Sequence, residues 1–302
     1  VTSFAPHFLA QCILSLGLLK VDDQLACNDF FATWSLSCIQ NLSVMDTLSL
    51  SNVMYGLSLL KIEPYLLCDG FYESLSRECV RSFPLFDAQT LTHTVYALGE
   101  LELDAGMLDE GFFPAFVAAC FAKLDGFSES LPFVVLYSLT LLDANGTRFD
   151  SVVDLVNALA HIGLSCVTTK AQVCQLLYAS LWFGTFQVPR SIVEPFVNES
   201  IEGFTSSQLE NRVASVLDEH HVRNYFVEPI LTETDIYIPR TNTVVFVDGP
   251  SHFRRDGARC AKSVLMTKLV ERLGYRVLRV GYREIQSRTD SELREMMREL
   301  LK

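Results

Sequence analysis

A 41-residue period constrains the fold of this chain more than any other feature. Tyr55, Tyr96, Tyr137 and Tyr178 each stand 41 residues apart, with Leu14 one period earlier. A small residue follows each of them: Ser15, Gly56, Ala97, Ser138 and Ala179. Leu16, Leu57, Leu98 and Leu139 come next, with Ser180 as the departure. The segments LSLGLLKV, YGLSLLKI, YALGELEL and YSLTLLDA carry the match. The other half of the unit keeps the register through Phe30, Phe71, Phe112 and Val153, and through Cys38, Cys79 and Cys120. A unit of this length with two apolar stretches reads as a helix–turn–helix pair. Such units stack because neither helix can bury its apolar face alone.

Within the second helix, Leu50, Met54, Leu57 and Leu60 fall at helical spacing. Asp46, Asp87, Ser128 and Thr169 recur just ahead of it, each placed as an N-cap that accepts from an otherwise unpaired amide. The expected architecture over residues 1–200 is therefore an α-helical repeat solenoid, with the aligned tyrosines and cysteines packed between repeats. Val1 to about Lys20 match only a second helix, so the array is expected to begin mid-repeat, with further repeats or an atypical cap upstream. It fades after Pro195, and 200–207 reads as the junction.

Composition narrows the class. Nine cysteines, an odd number without a C-x-x-C pair, argue against a disulfide framework and a zinc finger. They read as reduced, mostly buried thiols of an intracellular or organellar protein. The uncharged run 171–189, AQVCQLLYASLWFGTFQVP, has the length of a bilayer span. Gln172, Gln175, Gly184, Gln187 and Pro189 interrupt it, and the repeat explains it better, so no membrane span is expected. No signal peptide is visible, and a start at Val1 leaves room for a targeting segment upstream.

From Ser207 the pattern changes. SQLENRVASVLDEH reads as one helix. DIYIPRTNTVVFVDG gives two β-rich runs, Asp235–Ile238 and Val244–Val247, around a polar turn, which is a hairpin signal. Residues 258–273 read as a helix, with Leu265, Leu269 and Leu273 four apart and Gly274 as its C-cap. YRVLRVGY is a further strand, reached through a helix and so parallel to Val244–Val247. DSELREMMRELLK is a last helix opened by Asp290 or Ser291. Residues 206–302 thus read as a small α/β domain.

The run DIYIP…VVFVDGPSHF, then LMTKLVERLGYRVLRVGYREI and a terminal helix, resembles the RAP domain family. LSNVMYGLSLLKIEP is similar to the FAST kinase-like and octotricopeptide-type repeats that often precede that domain. The resemblance implies a restriction-endonuclease-like fold and a role in RNA metabolism of mitochondria, or alternatively plastids. Nuclease chemistry on that fold needs two acids and usually a lysine around a divalent metal. Asp235 matches the first acid, but Phe246 stands where the second belongs. Taking Asp248 as the second acid leaves Pro250 in the place of the lysine. Asp235 and Asp248 are therefore read as vestigial positions, and no catalysis, metal or cofactor is expected; a metal-dependent nuclease is the weaker alternative. The VDGPSHF stretch reads as a central strand and a turn set by Gly249 and Pro250. Asp248 and His252 are expected to bond loop amides or each other. The pair His220–His221 reads as a solvated helix end rather than a metal site.

Charge divides the chain. Residues 1–205 carry 8 basic and 22 acidic side chains, whereas 206–302 carry 16 and 14. Within 254–283 there are nine basic residues against Asp256 and Glu271. Phosphate binding draws its affinity from such clusters. Arg254, Arg255 and Arg259 directly follow the turn and are the leading RNA-binding candidates, with His252 beside them. Lys262, Lys268 and Arg276 add field more than geometry. The acidic array repels RNA and favours protein partners. Two readings follow: an RNA-associated organellar protein in rRNA processing or a mitoribosome, or a structural scaffold of a large organellar complex without RNA contact.

Overall fold

The computed structural model describes residues 4–21, 28–103, 105–147, 152–197, 207–218, 220–227, 232–254 and 257–302. It divides into two compact units, Val1–Val167 and Thr168–Lys302. The first is helical: α1 (Pro6–Leu18), α2 (Asn28–Ile39), α3 (Thr47–Leu60), α4 (Phe71–Ser82), α5 (Ala88–Leu101), α6 (Phe112–Ala122), α7 (Leu131–Ala144) and α8 (Val152–Cys166). The connections repeat as well as the helices. Short 3-10 turns at Leu42–Val44, Phe83–Leu85 and Leu124–Gly126 share one register, and those at Pro64–Leu66 and Ala105–Met107 share another.

Even-numbered and odd-numbered helices form two sets. α3 packs on α1 and α5, and α5 packs on α7, while α4 packs on α2 and α6. The column of small residues explains how closely the odd helices approach. A Cβ added at Gly56 would sit 2.7 Å from the backbone of Ile13 and Leu14, and one at Gly17 would sit 2.8 Å from the Leu59 Cβ. Leu50, Met54 and Leu57 of α3 are fully buried, each contributing roughly 1.5–3 kcal/mol relative to exposure. Tyr55 and Tyr96 are half-buried, with ring centroids 6.1 Å apart, so the tyrosine column lies along the contact between neighbouring units. Cys38, Cys79 and Cys120 are buried, and burial pushes their thiols far above the ordinary range. Cys12, Cys68, Cys166, Cys174 and Cys260 are only half-buried, so fewer thiols lie in the core than composition suggested.

Three of the four expected caps form. Asp46 accepts from the Ser49 amide, Asp87 from the Thr90 amide, and Thr169 completes a capping box with Gln172. Ser128 does not cap α7. Glu129 takes a left-handed conformation (φ 52°) and the Leu131 amide bonds the Ser128 carbonyl, so the helix starts two residues late, with Pro132 in its first turn. The phenylalanine column also breaks. Phe71 and Phe112 are buried, but Val153 is 41% exposed and Val152 takes the core position, because a one-residue offset turns a side chain by about 100° around a helix.

A hydroxyl register reinforces the even helices. The Cys68 amide donates to Ser35 Oγ at 2.9 Å, and one period on the Asp109 amide donates to Ser76 Oγ at 2.7 Å. Both serines are fully buried. Each ties the start of the next unit to the preceding even helix and satisfies a backbone donor that would otherwise be buried unpaired.

The second unit contains α9 (Lys170–Phe183), α10 (Arg190–Val197), α11 (Gln208–Val216), α12 (Ala261–Arg272), α13 (Tyr282–Gln286) and α14 (Asp290–Leu300) around a four-stranded sheet. Strands β1 (Val222–Val227), β2 (Thr232–Ile238), β3 (Thr243–Asp248) and β4 (Arg276–Gly281) lie in that order. β1–β2 and β2–β3 are antiparallel, and β3–β4 is parallel through α12, as a helical crossover requires. Ile236, Ile238, Val245, Val247 and Val280 face α11 and α14. Val244 and Phe246 face the opposite way, with Val270 of α12. Alternate residues of one strand thus serve two cores.

The helix expected over 207–220 ends at Val216, because Leu217 is extended (ψ 125°), and His220–His221 lie in the approach to β1 rather than at a helix end. The last helix is capped by Thr289, which bonds the Glu292 amide, rather than by Asp290 or Ser291. α9 stops at Phe183, where Gly184 is left-handed (φ 68°), and none of the helices among the described residues is long and apolar enough to cross a membrane. α9 groups with the second unit because Arg272 of α12 donates to the Leu181 and Trp182 carbonyls and lies 4.2 Å from the Trp182 ring centroid. The junction at 200–206 lies outside the described residues.

Candidate functional site

Asp248 closes β3 at its carboxyl end and is fully buried. Its register partner on β4 is Gly281, and Arg279, two residues earlier, is the partner of Phe246. That spacing puts Arg279 on the same face of the sheet as Phe246 and Asp248. Its guanidinium carbon lies 4.5 Å from the Phe246 ring centroid, and Nε donates to Asp248 at 2.9 Å (Oδ2). Nη2 donates to Oδ1, making the pair bidentate. Nη1 donates to the Ser263 carbonyl and to Thr267 Oγ1, which hooks α12 onto the same ion pair. Phe246 thus lies under the Arg279 guanidinium.

A second arginine reaches the same carboxylate. Arg259 Nε donates to Asp248 Oδ2 at 3.1 Å, and its guanidinium lies 5.7 Å from the Phe253 ring centroid. The loop that delivers it is short: the Arg254 amide bonds the Ala258 carbonyl, Cys260 bonds the His252 carbonyl, and Gly257 supplies the left-handed turn (φ 86°). Burial alone would raise the Asp248 pKa. The Arg279 hydrogen bond and charge, with Arg259, outweigh it and hold the carboxyl below its ordinary range.

His252 bonds a side chain rather than loop amides. Its Nδ1 pairs with Ser263 Oγ at 3.0 Å and lies 3.7 Å from Asp248 Oδ1. Burial lowers its pKa, Asp248 opposes that, and the Arg279 and Lys262 charges lower it further. Asp235 accepts the Val247 amide at 2.6 Å, at the point where β2 and β3 part. Burial pushes its pKa up to about 6; the Val247 amide opposes this, and Glu210 and Asp248 add to it. Asp235 and Asp248 thus differ in kind, one held by a backbone amide and the other by two guanidinium groups. Among the described residues no group of three or more histidine, cysteine or acidic side chains is placed to hold a metal.

The basic residues separate into two sets. His252, Arg254, Arg259 and Lys262 gather at the carboxyl end of β3; Lys262 is exposed, Arg259 is 37% exposed and Arg254 is half-buried. Arg255 lies outside the described residues. The others are elsewhere. Lys268 sits over Trp182 beside Arg272 at the end of α9. Arg276 opens β4 at the far end of the sheet and donates to the Leu300 carbonyl of α14. Sequence reasoning missed the Arg279–Asp248 pair. The signal was present, because an arginine on the same helix-covered strand face as Val277 needs acceptors within the chain.

Neither known protein families nor curated protein sequences yielded a match to this chain.

Proposed function

We propose that the chain is a non-catalytic, RNA-associated organellar protein, in which a helical-repeat solenoid contacts proteins and a RAP-type, restriction-endonuclease-like domain contacts RNA. The setting is rRNA binding or processing, or a ribosome, in the mitochondrion, with the plastid as the alternative. The observation that carries this reading is the engagement of Asp248 by Arg279 and Arg259. A carboxylate held by two guanidiniums neither recruits a divalent metal nor repels phosphate, and the strand end keeps a positive balance through Arg254, Arg259 and Lys262. The excess of acidic residues before 206 supports protein rather than RNA contacts for the helices.

One observation favours the scaffold reading. Arg272, Arg276 and Arg279 bond carbonyls or a carboxylate of the chain itself, so part of the basic run is internal. Binding of single-stranded RNA to the full chain, followed from roughly 50 to 200 mM salt, separates the two. The RNA reading predicts affinity that falls linearly in log–log coordinates, and RNA left intact in magnesium. Absence of binding at low salt would favour the scaffold. Magnesium-dependent cleavage abolished by Asp235→Ala would overturn the non-catalytic reading.

A further inference from the structure

At the end of the sheet opposite Asp248, a cavity of about 280 Å³ is lined by the side chains of Asp218, Arg240, Arg294, Arg298 and Met297, among others. Arg240, Arg294, Arg298 and Lys302 thus line it beside the Asp218 carboxylate, with Val216, Met297 and Leu301 as an apolar floor. Arg240 comes from the β2–β3 turn, Arg294 and Arg298 are one turn apart on α14, and Asp218 follows α11. None of the three arginines belongs to the 254–283 run. Six residues of β3 separate this cavity from the Arg259 cluster, about 20 Å at strand rise.

The acid does not satisfy the cavity. Arg298 Nε donates to Asp218 Oδ2 at 2.6 Å, whereas Arg294 Nε lies 3.6 Å from Oδ1, outside hydrogen-bond reach. That Nε is buried and has no hydrogen-bond partner. Arg294 Nε is a buried donor on a side chain that is otherwise 43% exposed, and with the Arg298 and Lys302 charges beside it the recess is arranged for an acceptor oxygen that carries negative charge. The forked geometry of two arginines on one helix face suits a tetrahedral oxyanion with several oxygens. Buried Val216, Met297 and Leu301 offer an apolar wall to what carries that group.

We propose that this cavity is a phosphate-binding site in which Arg294 and Arg298 hold one phosphate of an RNA strand, and Asp218 occupies the site as an internal counterion until displaced. The RNA part rests on the reading given above; the phosphate part does not. Asp218 then tunes affinity, since phosphate must compete with it for Arg298.

The test uses the full chain and inorganic pyrophosphate, followed by calorimetry, beside a single-stranded RNA of mixed sequence. Arg294→Gln/Arg298→Gln should weaken pyrophosphate binding by about tenfold or more, with only the small loss of stability that an exposed Arg298–Asp218 pair contributes. Asp218→Asn should tighten it several-fold, which a purely structural cluster would not do. Against RNA, the double variant should lower the log–log salt slope by about 1 to 2. If pyrophosphate does not bind, or binds equally to parent and double variant, the phosphate site is overturned whatever RNA does. If pyrophosphate binding is lost while RNA affinity and slope are unchanged, the site takes phosphate but not from RNA, and the RNA assignment falls. If the parent binds pyrophosphate here but no RNA, the RNA function itself fails and the phosphate site stands. Should the double variant unfold, Arg294→Lys and Asp218→Asn give the same comparison with charge retained or raised.

Discussion

The two units hold their polar groups in opposite ways. In the helical unit, buried hydroxyls bond carbonyls one turn back, as Thr92 does to Ala88, Ser138 to Val134 and Thr140 to Leu136. Among its described residues the ion pairs are mostly local, Arg77 with Glu73 and Arg81 with Glu78, with Arg77–Asp109 the longer contact. In the α/β unit, charges join distant segments. Arg279 reaches Asp248 across 31 residues, Arg212 reaches Asp290 across 78, and Arg298 reaches Asp218 across 80. Arg212 also donates to the Ile285 and Arg288 carbonyls. One unit is therefore sensitive to volume, the other to charge.

Removing Arg279 should expose that contrast most strongly. Arg279→Met leaves the Asp248 carboxylate buried without its main partner, and should cost about 3–5 kcal/mol at neutral pH by denaturant unfolding. Asp248 has a depressed folded pKa. Its pairing therefore stabilises above the unfolded carboxylate pKa and is lost as pH falls through the folded value, so the deficit of the variant should shrink in acid. A loss below about 1 kcal/mol would mean that the ion pair behaves like a surface one, and the comparison would fail.

The matching change in the helical unit is Gly56→Ala. The new methyl would meet backbone rather than a movable side chain, so α1 must shift from α3, at a cost in the upper part of the usual 1–3 kcal/mol, or about 2–3. Unchanged thermal stability would show that the small-residue column does not set the helix spacing.

Asp235 sharpens the charge side with the opposite sign. Its folded pKa is raised to about 6, so the folded state holds a proton that the unfolded state has released between about pH 4 and 6, and stability falls as pH rises through that window. Asp235→Asn keeps an acceptor for the Val247 amide and removes the buried charge. It should gain on the order of 2 kcal/mol at pH 7.5 and flatten the pH dependence. A loss at pH 7.5 instead would show that the charge itself is needed.

The smallest effect belongs to the turns of the repeat. Lys20, Lys61 and Glu102 share one register and are all left-handed, with φ of 50–51°. Lys61→Gly relieves the Cβ clash at an exposed helix end and should stabilise by about 0.5–1 kcal/mol.

The same contrast decides what was legible beforehand. Periodic features were readable because each repeat states them again: the helix pairs, the caps at Asp46, Asp87 and Thr169, and the cysteine column. Ser128 and Val153 failed where a proline-started helix and a one-residue offset broke local register without disturbing the 41-residue count. In the α/β unit, the β2–β3 hairpin and the parallel β4 followed from strand patterns and a helical crossover. β1 escaped because Arg223 and Asn224 interrupt the alternation of VRNYFV. The basic run looked uniform in sequence, and only the fold separates Arg272, Arg276 and Arg279, which bind the chain itself, from Lys262 at the strand end. The Arg240–Arg294–Arg298 cavity had no sequence signal, since its members come from a turn and a helix more than fifty residues apart.

The most direct test of the division of labour is ultraviolet crosslinking of the intact chain to single-stranded RNA at low salt, with the modified peptides located by mass spectrometry. Crosslinks are expected within Thr168–Lys302, centred on 252–262 and on the segments bearing Arg240, Arg294 and Arg298. Crosslinks concentrated in the acidic helices before Val167 would contradict that division.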